Sequence, residues 1–349
     1  MKKNFFISFF ISLTLATYGQ GDTIRIASED TLMAERAYNS GLEFFNAKKY
    51  QQAVDSFTKT ISIKPSMEKA WFNRGLAYHE LGKNADAIKD FGSSIELNPN
   101  ADYAFFNRGE VYLAMKENEK ALSDFSKTVE INTKKAEAWY EKGVLNFLAK
   151  NYEDAQSDYG IAITVKPDYA YAYNDRAGCK MELGKFEDAI TDYKKAISLQ
   201  PNSAFFHNNL ASALRKKKDF SHAIDEYDKA IEIKSDYYIA YNNRGLANSE
   251  KGAIEDAKKD FTKAIEIKSD YAFAYSNRSS CHYKNKQYQL GVDDCNKAIK
   301  YNPEHGEAYL NRGICREMLK DFKGACEDFK KAAELGVNQA KNYNDVCEE

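Results

Sequence analysis

The sequence predicts an all-α fold of nine tandem helical hairpins, each 34 residues long. Three observations lead to this prediction. The prolines at 65, 99, 167, 201 and 303 are separated by multiples of 34 residues. Both tryptophans, Trp71 and Trp139, are separated by twice that period. With Ala34 as repeat position 1, position 8 holds a small residue in all nine copies, and no copy needs an insertion.

Length and composition are those of a folded chain. Of the 349 residues, 43% are hydrophobic and 13% are aromatic, which supplies packed cores and excludes a disordered or collagen-like chain. The 50 Lys and Arg residues nearly balance the 52 Asp and Glu residues. Phosphate binding needs a concentrated excess of basic residues, so nucleic acid is not an expected partner.

The first nineteen residues have the pattern of a secretory signal peptide. Lys2 and Lys3 precede an apolar run over 5–16, which is too short to span a bilayer comfortably as a helix. We expect cleavage after Gly19 and an exported mature chain, periplasmic or secreted. An uncleaved membrane anchor is the alternative. Residues 20–33 follow as a polar lead-in that can be helical from Asp30.

Two amphipathic helices are predicted in each repeat. Large or aromatic residues at position 4 and small residues at position 8 share one face of a first helix with position 11. Alanine at position 20 and an aromatic ring at position 24 mark a second helix, which proline at position 32 ends. The predicted repeats are 34–67, 68–101, 102–135, 136–169, 170–203, 204–237, 238–271, 272–305 and 306–339.

This pattern of aromatic, small, alanine, aromatic and proline positions resembles the tetratricopeptide repeat family over nearly all of the mature chain. The resemblance implies a right-handed α-solenoid, a superhelix in which each repeat buries its apolar faces against its neighbours. Residues 340–349 are too few for a tenth repeat, but Ala340, Tyr343 and Val346 recur every three residues. We therefore expect a C-terminal capping helix over the last repeat.

The six cysteines do not indicate a metal site, because the sequence has no Cys-x-x-Cys and no closely spaced His pair. Cys326 and Cys347 lie at nearly equal sequence distances from a turn expected at Gly336, so they reach the same height in an antiparallel hairpin. This predicts a Cys326–Cys347 disulfide, with two free thiols as the alternative. No metal or cofactor is expected.

The predicted binding surface carries positions 2, 6, 9 and 13 of the first helices, and we call it the first-helix face. It lies opposite the stripe expected to be buried and lines the concave groove of the predicted superhelix. Position 6 is asparagine in seven of nine repeats, namely Asn39, Asn73, Asn107, Asn209, Asn243, Asn277 and Asn311.

Asparagine offers both a donor and an acceptor, so a regular column can bind successive peptide groups of an extended chain. The column resembles the asparagine ladder along the superhelix of O-GlcNAc transferase. The alternative is that these amides bond within the repeats or are simply tolerated on a solvated face. Glu141 and Asp175 interrupt the column in the middle.

Aromatic residues flank the asparagine column at positions 2 and 5. At position 2, Tyr103, Tyr171, Phe205 and Phe273 are predicted anchors for a protein partner, and such rings also suit sugars. Rings at position 5 can instead pack between neighbouring repeats. Arginine at position 7 and aspartate at position 23 recur together, and we expect them to tie repeat to repeat.

Catalysis is not expected, because the sequence has no phosphate-binding Gly-rich loop, His-Glu-x-x-His or Gly-x-Ser-x-Gly. The clamp that holds chaperone C-termini is also missing, since Asn242, Leu246, Glu307 and Asn311 replace its required residues. The predicted function is a non-enzymatic scaffold of the cell envelope that binds an extended peptide or protein segment in the groove. A glycan-binding module and a cytoplasmic adaptor are the alternatives.

Overall fold

The computed structural model describes residues 29–347, so the predicted signal peptide lies outside it. Eighteen α-helices follow one another in consecutive pairs, and no residue from 29 to 347 lies in a β-strand. Within that range, no helix has both the length and the apolar character needed to span a bilayer. The chain divides into two compact units, Met1–Pro99 and Asn100–Glu349.

Both units are built from helical hairpins. The described part of the first unit contains α1 (Glu29–Asn46), α2 (Tyr50–Ile63), α3 (Glu68–Glu80) and α4 (Asn84–Leu97). The second unit contains α5 (Asp102–Ala114), α6 (Asn118–Ile131), α7 (Ala136–Leu148), α8 (Tyr152–Val165), α9 (Ala170–Glu182), α10 (Phe186–Leu199), α11 (Ala204–Lys216), α12 (Phe220–Ile233), α13 (Tyr238–Lys251), α14 (Ile254–Ile267), α15 (Ala272–Lys284), α16 (Tyr288–Tyr301), α17 (Gly306–Met318), α18 (Phe322–Glu334) and a 3-10 helix (Asn338–Cys347).

A short turn joins the two helices of each hairpin, and its repeat position 15 has a left-handed backbone. Gly82, Gly184 and Gly252 hold this position with φ between 73° and 95°. In the other six repeats the residue is lysine, with φ between 58° and 66°. A residue with a side chain adopts this conformation at a cost of roughly 1 kcal/mol, which glycine avoids.

Each hairpin is tightest where the first helix meets the ring at position 24 of the second. A Cβ at Gly41 of α1 would lie 2.5 Å from the Phe57 ring of α2. Six repeats share this glycine-on-ring contact, with distances of 2.5 to 2.9 Å. The small residues at position 8 are therefore required by the close approach of the two helices.

The buried stripe of the first helix is shifted by one residue from the sequence expectation. In α3, Ala70, Gly75 and Ala77 are buried, at positions 3, 8 and 10, whereas Trp71 at position 4 is only half-buried. The Trp71 indole Nε1 donates to the carbonyl oxygen of Pro65 at 2.8 Å. The large residue at position 4 thus covers the end of the preceding helix instead of filling the hairpin core.

The C-terminal segment predicted as a capping helix is a 3-10 helix with a kink at Tyr343, where φ is −106° and ψ is 19°. Ala340 is buried, and the Tyr343 ring stacks on Phe329 of α18 with 4.3 Å between centroids. Cys326 and Cys347 are joined by a disulfide, with their Cα atoms 5.1 Å apart. The side chain of Val346, which the sequence also placed in this cap, lies outside the described residues.

Candidate functional site

In the six repeats that have both, the position 7 arginine and the position 23 aspartate pair inside the repeat, which corrects the expectation that they pair between repeats. Arg108 donates from Nε and Nη2 to the two carboxylate oxygens of Asp124, both at 2.8 Å. Contact with the preceding repeat comes from the remaining nitrogen: Nη1 of Arg278 donates to the hydroxyl of Thr262 at 3.1 Å. The aspartates are buried, so position 23 joins the two helices of a hairpin and is not available to a ligand.

The position 5 rings of the first four repeats pack inside their own hairpins. Tyr140 contacts Tyr159 with 5.5 Å between ring centroids. The equivalent pairs, at 5.6 to 5.7 Å, are Tyr38–Phe57, Phe72–Phe91 and Phe106–Phe125. These rings contribute to the hairpin core, and two of them also reach the next repeat: the Tyr140 hydroxyl donates to Asp175, and the Tyr38 hydroxyl accepts from Asn73.

Position 2 of the second unit carries exposed rings. Tyr171, Phe205 and Phe273 are 48%, 46% and 48% exposed, while Tyr103 is half-buried. Tyr171 and Phe205 both contact the buried ring of Phe206, at centroid distances of 5.3 and 6.1 Å. Three of the four predicted anchors are therefore accessible, and two of them rest on a fixed support.

The asparagines of the second unit form a directed chain of side-chain hydrogen bonds. Nδ2 of Asn277 donates to Oδ1 of Asn242 at 2.9 Å, and Nδ2 of Asn242 donates to Oδ1 of Asn243 at 3.4 Å. The same alternation between positions 6 and 5 continues at 3.0 to 3.3 Å through Asn208, Asn209 and Asn174. The chain ends at Oδ1 of Asp175, which accepts from Asn174 at 2.8 Å.

The predicted asparagine column is therefore divided. Asn209, Asn243 and Asn277 belong to the chain, and Asn311 donates to Ser276 in the preceding repeat at 3.2 Å. The other three lie outside it: Asn73 donates to the Tyr38 hydroxyl, Asn107 donates to a carbonyl of its own helix, and Asn39 is exposed. An amide in the chain uses one N–H and one lone pair, so the half-buried amides at position 6 keep a second of each for a ligand. The position 5 amides of the chain, Asn174, Asn208 and Asn242, are buried.

One cavity on the first-helix face gathers several predicted residues of repeats seven to nine. It has a volume of about 550 Å³, and its lining includes Asn243, Asn277, Asn311 and Phe273. The His305 ring contacts Phe273 with 4.7 Å between centroids. Burial lowers the pKa of the His305 imidazole below its usual range. The lining also includes Glu307, so the cavity offers amides, rings, an imidazole and one carboxylate to a peptide.

A second cavity, of about 380 Å³, lies in repeats four to six, and the sequence did not predict it. Repeat five has Asn174 at position 5, where earlier repeats have a ring, and Gly178 at position 9. These two small residues leave space that is bounded by Tyr140, Phe147, Tyr159, Tyr193 and Phe205. The sequence signal was present, as two departures from the repeat in a single helix.

The two acids that interrupt the asparagine column lie at this second cavity or beside it. Asp175 lines it and accepts from the Tyr140 hydroxyl at 2.6 Å. Burial raises the pKa of Asp175, and hydrogen bonds from Tyr140 and Asn174 oppose this. Burial also raises the pKa of Glu141 to about 7, and the negative charges of Glu110 and Asp175 add to the effect. This part of the first-helix face is acidic and apolar together.

The structure offers no metal centre in the part of the chain it describes, where no group of three or more His, Cys, Asp or Glu residues converges. Cys179, Cys281, Cys295 and Cys315 are free and buried. Burial raises the pKa of the Cys281 and Cys315 thiols to about 11. These thiols are protonated at neutral pH and act as small apolar side chains.

The chain is similar in structure to several solved proteins. The crystal structure of the APC/C hetero-tetramer Cut9–Hcn1 is 14% identical, covers 91% of this chain and 77% of its own, and has a TM-score of 0.57. Yeast Tom70 is 14% identical over 92% of this chain and 96% of its own, with a TM-score of 0.49. YrrB, described as a TPR protein with an unusual peptide-binding site, is 21% identical over 53% of this chain and 95% of its own, with a TM-score of 0.47.

No curated protein matches the sequence. Family models do match it, and all of them describe the same repeat. A model described as TPR repeat matches 180–218 and 211–252, and three described as Tetratricopeptide repeat match 68–101, 238–271 and 282–340. Together these ranges include just over half of the residues, in paired helices without strands, and the chain belongs to the tetratricopeptide repeat family.

Proposed function

We propose that this protein is an exported, non-enzymatic scaffold of the cell envelope, and that its first-helix face binds an extended peptide or protein segment. The tetratricopeptide fold is a protein–protein interaction scaffold, so the proposal concerns the location and the binding surface. One observation carries it: exposed rings at position 2 lie beside amides that are already held in place by the hydrogen-bonded chain.

The geometry suits a peptide because its parts are ordered before the ligand arrives. An amide whose orientation is fixed loses little conformational entropy when it binds a peptide group. The rings of Phe205 and Phe273 are two repeats apart, and each is about half exposed. Rigid aromatic anchors of this kind supply much of the binding energy at protein interfaces.

The test is retention of proteins from envelope and cytosolic extracts of the native host by the purified mature chain. The variant Tyr171→Ser/Phe205→Ser/Phe273→Ser removes the three rings. A matched control, Ile233→Ser/Leu290→Ser/Phe322→Ser, removes three exposed apolar residues from second helices, which are 40%, 48% and 42% exposed. Circular dichroism establishes that all three proteins are equally folded.

An envelope protein that the wild type and the control retain, and the ring variant loses, is the expected result. Equal retention by all three proteins would remove the first-helix face from consideration. Elution by soluble sugars, with no protein retained, would favour the glycan-binding alternative. Partners found only in the cytosolic extract would favour the cytoplasmic adaptor.

Export is tested separately by fractionating cells and determining the N-terminus by mass spectrometry. We expect the chain in the envelope or the medium, beginning at Gln20. A chain in the cytosol that retains Lys2 and Lys3 would contradict export without affecting peptide binding.

A further inference from the structure

We propose that the cavity of repeats four to six binds a basic side chain, lysine or arginine, carried by the bound segment. This inference rests on the proposed function, because the side chain belongs to the peptide on the first-helix face. The cavity is lined by Tyr140, Phe147 and Phe205, with the carboxylate of Asp175 at its polar side.

The strongest reason is a contrast between the two sets of acids in the repeats. All eight acidic residues at position 23 have a basic or imidazole partner inside their own repeat. The acids at position 6, Glu141 and Asp175, have no lysine, arginine or histidine nitrogen within 4 Å among residues 29–347. The cations nearest in sequence, Lys142 and Arg176, are bound by Asp158 and Asp192.

The charged groups that shift the pKa values of the cavity tyrosines are all negative. The pKa values of Tyr140, Tyr159 and Tyr193 are raised by burial first and then by carboxylates, with Asp175 acting on all three. A half-buried carboxylate without a counter-charge is costly for the folded protein alone. A cation from a partner removes that cost, so the site is complementary to positive charge.

The shape of the cavity selects a long side chain over a free ion. Its volume of about 380 Å³ is at the small end for ligand sites and suits one side chain. Lysine and arginine have an apolar stem that can lie along the rings while the charged end reaches a carboxylate. Aromatic faces attract such cations as well. The Tyr140 hydroxyl, 2.6 Å from Oδ2 of Asp175, holds the carboxylate in position.

Asp175→Asn tests the charge with little risk to the fold. Asparagine is the residue at position 6 in seven of nine repeats. In the first unit, Asn73 donates to the hydroxyl of Tyr38 at 2.8 Å, which is the same pairing of positions as Asp175 and Tyr140. The substitution therefore removes a charge and keeps a hydrogen bond to tyrosine.

Gly178→Leu tests the space and leaves the charge. A Cβ at Gly178 would lie 3.8 Å from the Phe147 ring, which is an ordinary contact. Leucine occupies the same repeat position at Leu42, Leu76 and Leu246, so the longer side chain fills the cavity without straining the helix. Asp225→Asn is the matched control for charge, because Asp225 is exposed on the second helix α12.

The first experiment selects phage-displayed random dodecapeptides at pH 8 on the full mature chain and on the Asp175→Asn variant. Lysine or arginine enriched at one position of the peptides selected by the wild type, and absent from those selected by the variant, is the expected result. Fluorescence polarisation then measures one selected peptide against its analogue, in which norleucine replaces lysine or citrulline replaces arginine.

We expect the analogue to bind the wild type at least tenfold more weakly, and the selected peptide to bind Asp175→Asn and Gly178→Leu at least tenfold more weakly. Asp225→Asn should change the affinity less than twofold. Selected peptides without a basic position, or equal affinity for wild type and Asp175→Asn, would overturn this inference and leave the proposed function standing. Failure to enrich any peptide on either protein would overturn the proposed function, and this inference with it.

Discussion

Replacing Glu141 by glutamine should stabilise the protein strongly at pH 8 and much less at pH 5. The Glu141 carboxyl lies in α7, and burial raises its pKa from 4.5 to about 7. The groups that act with it are Glu110 in α5, Asp175 in α9, and the neutral phenols Tyr159 and Tyr169. Glu110 and Asp175 disfavour a negative charge on Glu141, and the neutral phenols supply no counter-charge to it.

The magnitude follows from proton linkage. The unfolded chain releases the Glu141 proton near pH 4.5 and the folded chain near pH 7. Between these values the folded state binds more protons, so the free energy of unfolding falls as the pH rises. The full difference is about 3 kcal/mol, of which about 2.5 kcal/mol is lost between pH 5 and pH 8. Glu141→Gln removes this loss, because glutamine does not ionise.

The assay is chemical denaturation followed by circular dichroism at pH 5 and pH 8, for the wild type and Glu141→Gln. Because repeat proteins can unfold in several steps, the quantity compared is the change in midpoint between the two pH values. Glu153→Gln, which removes an exposed carboxylate from α8, is the matched control. The reasoning is refuted if the wild type and Glu141→Gln lose the same stability between pH 5 and pH 8.

Three further outcomes follow from the contacts. Cys347→Ser opens a loop of 21 residues and should cost about 3 kcal/mol in the last repeat, measured as a lower melting temperature that reductant reproduces in the wild type. Asp294→Asn removes a buried carboxylate, leaves the half-buried Arg278 without its counter-charge and should cost about 3 kcal/mol or more, while Asp256→Asn, on an exposed pair, should change stability by less than about 1 kcal/mol in the same melts. Asn243→Ala breaks the amide chain and should cost about 1 kcal/mol, whereas Asn107→Ala, outside the chain, should cost less.

The all-α fold was predictable because the constraint on each hairpin is local and repeated nine times. Glycine at position 8 is required by a ring that lies 16 residues later, and both columns are visible in the sequence. The one-residue shift of the buried stripe was harder to predict. Trp71 is large and apolar, which suggests a core residue, but its indole N–H must also reach a carbonyl at the end of the preceding helix.

Several residues that vary between repeats at position 11 have a partner in the structure. Lys180 occupies position 11, where repeats two and three have tyrosine, and its Nζ lies 2.6 Å from Asp192. Asn146 and Asn248 at the same position donate to Asp158 and Asp260. Such pairings depend on how the two helices of a hairpin are rotated, and the periodicity of the sequence does not determine that rotation.

The asparagine column shows the same limit in the candidate site. Sequence placed the amides correctly on one face of the first helices, but it could not say which atoms they bond. Asn209, Asn243 and Asn277 each donate to position 5 of the repeat before, 35 residues away. Where position 5 changes from a ring to asparagine, between Tyr140 and Asn174, the cavity opens. The change from a ring to asparagine at position 5 therefore marks the repeat at which the first-helix face gains a cavity.

Glu141 and Asp175, the acids at or beside this cavity, connect the stability of the protein with ligand binding. Glu141 and Asp175 reduce the stability of the unbound protein as they ionise, because no cation of residues 29–347 compensates them. A ligand that binds the ionised form preferentially lowers their pKa values and returns that stability on binding. A basic peptide should then raise the melting temperature more at pH 8 than at pH 5, and more in the wild type than in Asp175→Asn. A neutral peptide on the same face should raise it equally at both pH values, which separates a specific basic subsite from general affinity for peptide.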